Sequence, residues 1–122
     1  MILHLAEARE WEATPPDGPY VPGAFAVDGF VHCSTAEQLP GTAERFYRGR
    51  HDLVLLVLDE DALGPLVRWE PPAPDDGSGR RFPHVYGPIP RRAVLAALPF
   101  RPGPDGRFPP PPAPPAGSRA GC

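Results

Sequence analysis

The sequence predicts an α+β fold, a small and mostly antiparallel sheet carrying short helices, on three observations. Apolar residues come in short runs such as Ile2–Leu5, Leu53–Leu58 and Phe82–Tyr86, each bounded by turn-forming residues. Runs of that length and branching read as strands rather than helices. Polar and apolar side chains alternate inside several of them, the pattern of a half-solvated strand. Helix signals are present but brief, the clearest being Ser34-Thr35-Ala36-Glu37, whose spacing matches a capping box.

Taken in order, Ile2–Leu5 is a strand and Ala6–Ala13 a short helix that ends before Pro15-Pro16. Asp17–Ala24, rich in Gly and Pro, is a loop carrying Tyr20. Phe25–Val27 and Gly29–Cys33 are expected to be extended, with Asp28-Gly29 as the turn between them. A helix should start directly at Ser34 and reach Tyr47 or Arg48, broken by Pro40-Gly41 into a turn followed by Thr42–Arg48. Leu53–Leu58 is the central strand, because its six residues are all apolar. Asp59–Leu63 is a one-turn connection, Leu66–Glu70 a strand, Pro71–Gly79 a loop and Phe82–Tyr86 another strand. Pro90 opens a short helix that leads into Leu95–Arg101, followed by a Pro-Asp-Gly turn at 104–106.

A length of 122 residues and the absence of an internal repeat point to one domain with one modest core, spanning residues 1–108. From Pro109 the chain reads PPPPAPPAGSRAGC, six prolines in fourteen residues. That segment 109–122 carries too little apolar surface to offset its ordering entropy, and a disordered, polyproline-like tail is expected. The formal net charge of −3 argues against a nucleic-acid grip made from bulk charge. All twelve basic residues are arginine, which excludes Schiff-base chemistry and a lysine phosphate clamp. No run approaches the roughly 18–20 apolar residues of a membrane span, and no apolar leader follows Met1. Cys33 and Cys122 do not make a disulfide framework, so a reduced, cytoplasmic protein is expected.

Chemistry concentrates on the histidines. His4, His32 and His84 each sit inside an apolar run, whereas His51 lies in a charged turn and reads as surface. A buried imidazole without a hydrogen-bond partner costs about 1–3 kcal/mol, so three of them imply a polar pocket where strands meet. Period-two spacing puts Phe30, His32 and Ser34 on one face, with Val31 and Cys33 on the other. It likewise joins Arg68 with Glu70, opposite Trp69, and His84 with Tyr86. His4, His32, Glu70 and His84 are therefore expected to line one cleft. Each has a plainer role open to it: His4 can satisfy a strand carbonyl, Ser34 can cap a helix, and Glu70 can pair with Arg68 or Arg81 in a weak surface ion pair. Cys33 should be an inert core thiol. Asp59-Glu60-Asp61 reads as a helix start rather than a metal site. His4, His32 and His84 would meet the ligand count of a catalytic zinc site, but no two lie at a chelating spacing.

Ile-Leu-His near the start, Trp11, Gly-Phe-Val-His-Cys-Ser at 29–34 with Gln38 beyond, Arg-Trp-Glu at 68–70 and Phe-Pro-His-Val-Tyr-Gly-Pro at 82–88 together resemble the domain-of-unknown-function family 952. The likeness runs to Asp-Gly-Arg-Phe-Pro at 105–109. It implies an ADP-ribosyltransferase-like sheet, closest in style to RNA 2′-phosphotransferases, whose second motif is also His-x-Ser on a strand. On that resemblance His32 and Glu70 are the catalytic pair, Glu70 steadying an oxocarbenium-like ribose. His4, Ser34, His84 and Tyr86 would bind a small-molecule nucleotide, with NAD as the substrate and the Tyr86 ring stacked on the leaving base. The chain departs from the pattern in lacking a Tyr-rich stacking segment and, apart from Arg68, the clustered strand arginines. A ligand-binding module without catalysis uses the same cleft and stays open beside the enzyme.

Overall fold

The computed structural model describes residues 1–72 and 74–109; the expected proline-rich tail, beyond Pro109, lies outside them. Among the described residues six strands form two antiparallel sheets of three. In the first, β1 (Ile2–Glu7) and β6 (Val94–Phe100) flank β3 (Leu53–Leu58). In the second, β2 (Val31–His32) and β4 (Val67–Glu70) flank β5 (Phe82–Val85).

The position of β3 explains its unbroken apolar sequence. It pairs on both edges, from Ile2↔Leu58 to Glu7↔Leu53 and from Leu53↔Phe100 to Leu58↔Val94, and it is covered on both faces. Leu53, Leu55 and Val57 pack with Leu3, Leu5 and Phe100 against Leu39 and Ala43 of helix α3. Leu56 and Leu58 pack with Ile2, Tyr20 and Ile89 against Val31, Cys33 and Val85 of the second sheet. Helix, first sheet and second sheet are thus three layers around two connected apolar seams, which is why alternation is absent in β3 and present in the outer strands.

A backbone bridge also joins the two sheets. Leu3 and Ser34 exchange reciprocal backbone hydrogen bonds of 2.8 Å each, so β1 holds the chain just beyond β2. Tyr20 does the same with Ile89, at 2.9 and 3.0 Å, pinning the Gly/Pro loop across the second sheet's end.

Among the described residues the α-helices are four: α1 (Ala8–Glu12), α2 (Phe25–Asp28), α3 (Leu39–Phe46) and α4 (Glu60–Leu63). Five of the sequence expectations need correction. Phe25–Asp28 is helical, not extended. Gly29 adopts φ +80° and donates its N–H to the Phe25 carbonyl at 2.8 Å, so Asp28-Gly29 is a helix end with a left-handed glycine and not a hairpin turn. The capping box is displaced by one residue. Ser34 is committed to Leu3, and Thr35 and Gln38 make the reciprocal pair instead: Thr35 N–H to Gln38 Oε1 at 3.0 Å, Gln38 N–H to Thr35 Oγ1 at 3.2 Å. Pro40 then falls in the first turn of α3, where its missing N–H has no intrahelical partner to lose, so the helix runs through Pro40-Gly41. Finally β1 extends to Glu7 and α1 begins at Ala8. The one-turn α4, with Asp59 Oδ1 accepting from the Asp61 N–H at 3.0 Å, matches the helix start read from the acids. Among the described residues no helix is long and apolar enough to cross a membrane.

Candidate functional site

Register in the second sheet decides which side chains meet. His32 lies opposite His84, and His84 opposite Arg68; Val31, Val85 and Val67 form the next row and face inward. Phe30, His32, Phe82, His84, Tyr86, Arg68 and Glu70 therefore share the outer face, with Trp69 on the reverse, two-fifths exposed. The rings of His32 and His84 are 5.6 Å apart. Phe30 stacks on His84 at 4.1 Å and leans on His32 at 4.6 Å, so one aromatic ring holds both imidazoles.

Each imidazole is backed by a carboxylate. Glu70 Oε1 accepts from His84 Nδ1 at 2.8 Å and from the Tyr86 hydroxyl at 2.6 Å. A carboxylate only accepts, so the Nδ1 proton is assigned by its partner and Nε2 is the nitrogen left to exchange a proton. His84 is 3% exposed, yet no fully buried side-chain nitrogen or oxygen among the described residues lacks a partner, and Nε2 makes no hydrogen bond to any of those residues. Nε2 is thus the atom through which the ring meets the cleft. The hydrogen bonds from Tyr86 and then His84 hold the Glu70 carboxyl below its ordinary range. The same bond to Glu70 pushes the Tyr86 hydroxyl up, keeping it a donor, and the Arg68 guanidinium sits 4.8 Å over the tyrosine ring. On the other strand, Asp28 Oδ2 meets His32 Nε2 at 2.9 Å across a helix end, leaving Nδ1 of this half-exposed ring unpaired.

His4 is placed differently. Its Nδ1 donates to the His32 carbonyl at 2.6 Å, and Nε2 accepts from the Tyr20 hydroxyl at 3.3 Å. Burial pushes its pKa down to about 4 and raises that of Tyr20, so a neutral imidazole bolts β1 to β2. Neither nitrogen is left for a ligand, and the strand-carbonyl role is the one the structure supports. Ser34 Oγ lies 3.3 Å from Thr42 Oγ1, tying the end of β2 to α3. Cys33 is a buried free thiol whose pKa burial raises, as an inert core cysteine requires. Among the described residues no three His, Cys, Asp or Glu side chains are grouped to hold a metal ion, so His4, His32 and His84 do not make a zinc set.

The cleft has a volume of about 760 Å³. His4, His32, Ser34 and His84 contribute to its walls together with Phe30, Phe82 and, from α3, Thr42, Arg45 and Phe46. Glu70 and Tyr86 do not line it; they stand behind His84. Sequence reasoning missed Asp28 as the partner of His32, although the i,i+4 spacing was there to be read. It placed Phe30 on the face of His32 by alternation but gave it no role, and it did not reach the α3 residues, which only tertiary folding brings to the cleft.

A family model described as protein of unknown function (DUF952) matches residues 5–97. The chain belongs to the DUF952 family. A likeness among solved structures carries this further. The crystal structure of protein CC0527 from Caulobacter crescentus is 31% identical, with a TM-score of 0.77 over 88% of this chain and 92% of that one. The solution NMR structure of the same protein is 33% identical, with a TM-score of 0.72 over 87% and 89%. No curated protein matches the sequence. The matched segment contains both histidine dyads and the Phe30 ring between them, while His4 lies just before its first residue.

Proposed function

We propose that this DUF952 protein handles a nucleotide of the ADP-ribosyl kind, NAD or ADP-ribose, with His84 as the acid–base group acting on the bound ligand. The observation that carries the reading is the Glu70–His84 dyad, whose free Nε2 opens onto a cleft of nucleotide size. Small-molecule sites span about 300–1,000 Å³ and combine apolar walls with a few convergent polar groups. Here Phe30, Phe82 and Phe46 supply stacking surface. Arg45, exposed on α3 and without an ion pair among the described residues, supplies a cation for a phosphate. His32-x-Ser34 on a cleft-facing strand is the feature the resemblance to RNA 2′-phosphotransferases requires, and it is the support for an ADP-ribosyltransferase-like relationship.

In transfer from NAD, the bond from ribose to nicotinamide breaks, nicotinamide leaves with the electron pair, and an acceptor hydroxyl attacks while His84 Nε2 takes its proton. Glu70 then serves as a positioning residue that fixes the His84 tautomer and steadies the imidazolium, rather than touching the ribose. Isothermal titration with NAD and ADP-ribose tests the reading. Glu70→Gln should keep affinity within a few-fold and lower turnover by about 10²–10⁴, the range of acid–base catalysis. His32→Ala should weaken binding itself. No heat from either nucleotide at millimolar concentration would overturn the proposal, and binding without turnover would leave a non-catalytic module.

A further inference from the structure

The cleft holds one acid–base group more than ADP-ribosyl transfer from NAD uses. Nicotinamide departs as a neutral heterocycle and needs no proton, so that reaction uses His84 for proton transfer and asks only binding, not acid–base work, of the Asp28–His32 dyad. Yet this second dyad faces the first across neighbouring strands, the rings 5.6 Å apart and steadied by the same phenylalanine. Two imidazoles at that separation, each reaching about 3 Å to a hydrogen-bonded oxygen, span the attacking and leaving oxygens of one phosphoryl group. A departing alkoxide, unlike nicotinamide, must be protonated. Arg45 on the cleft wall offers the charge that phosphate oxygens require.

We infer that the same cleft also hydrolyses a nucleotide phosphodiester, of the class whose simplest member is a nucleoside 2′,3′-cyclic phosphate, with His84 as base and His32 as acid. The inference rests on the nucleotide reading of the cleft and adds an activity to it. A water oxygen bonds to phosphorus as its proton passes to His84 Nε2. The bond from phosphorus to the ribose 2′ oxygen breaks, and that oxygen takes the proton from Nδ1 of His32, whose ring in the doubly protonated form is an ion pair with Asp28. The product is a 3′-phosphomonoester with a free 2′ hydroxyl. His84 returns a proton to solvent and His32 takes one up, which closes the cycle.

The test is hydrolysis of 2′,3′-cyclic AMP by the purified full chain, followed by phosphorus NMR, beside titration calorimetry with ADP-ribose. The wild type should give a bell-shaped pH–rate profile. His32→Ala should lower the rate by about 10²–10⁴ and remove the alkaline limb, and His84→Gln should remove the acidic limb. His32 is half exposed, so its variant folds whatever becomes of the buried His84. Binding of ADP-ribose without cleavage of the cyclic nucleotide, or equal rates from His32→Ala and wild type, would overturn this inference while leaving the nucleotide reading intact. Absence of binding by any nucleotide would remove both.

Discussion

Leu56→Ala should destabilise the protein by between about 2 and 5 kcal/mol, the range for truncating a fully buried leucine. Leu56 is 0% exposed, lies in the middle of β3, and is flanked by His4 on β1 and Ala97 on β6. Its side chain belongs to the seam between the two sheets, so the cavity would open under Val31 and Val85, directly beneath the histidine face. A domain of this size has a total stability of only about 5–15 kcal/mol, so the loss is a large share of it. Urea unfolding followed by circular dichroism measures it. Val27→Ala, at a position 86% exposed, is the control and should stay within about 0.5 kcal/mol. A loss below about 1 kcal/mol at Leu56 would mean that the sheets do not pack as described.

Acid should unfold the protein through His4. Its folded pKa of about 4 lies below the ordinary histidine value of 6.5 because burial penalises the charged ring. Between those values the unfolded chain binds the proton and the folded chain does not, so stability rises with pH across that window. The contribution is fully present above pH 6.5 and is lost as pH falls towards 4, and it amounts to roughly 3 kcal/mol at one pKa unit per 1.36 kcal/mol. Glu70 acts in the same sense lower down: its depressed pKa adds stability that disappears as the carboxylate is protonated. Unfolding midpoints at pH 7, 6, 5 and 4.5 should therefore fall steeply for the wild type and more gently for His4→Gln, which has no proton to gain. Parallel curves for the two proteins would assign the acid sensitivity elsewhere.

The strands were legible because their signals are local. Leu53–Leu58 reads as a central strand from composition alone, and the alternation in 30–34, 68–70 and 82–86 places the polar residues on the outer face where the structure has them. What misled was chemistry with two meanings. Asp-Gly serves a hairpin turn or a helix end, and only the helical hydrogen bond from Gly29 to Phe25 decides between them. Ser34 and Thr35 both suit an N-cap, and the long-range pairing of Ser34 with Leu3 settles the choice in favour of Thr35. The site was legible as a set of residues but not as a set of roles. His4 and His84 look alike in sequence, apolar on either side, yet one has both nitrogens bonded inside the protein and the other has one turned to the cleft. That difference depends on Tyr20 and Glu70, sixteen residues away from His4 and fourteen from His84, and no local pattern carries it.

The central claim is that His32 and His84 together face a nucleotide in the cleft. Nitrogen NMR of the four histidine rings during titration with ADP-ribose tests it most directly, because each ring reports its own protonation and contacts. The account predicts that the His32 and His84 resonances shift together along one saturable curve. His4 should keep the spectrum of a neutral ring protonated at Nδ1, and His51 should not respond. Saturable shifts confined to His51, or no shift at His84 while the ligand demonstrably binds, would contradict it.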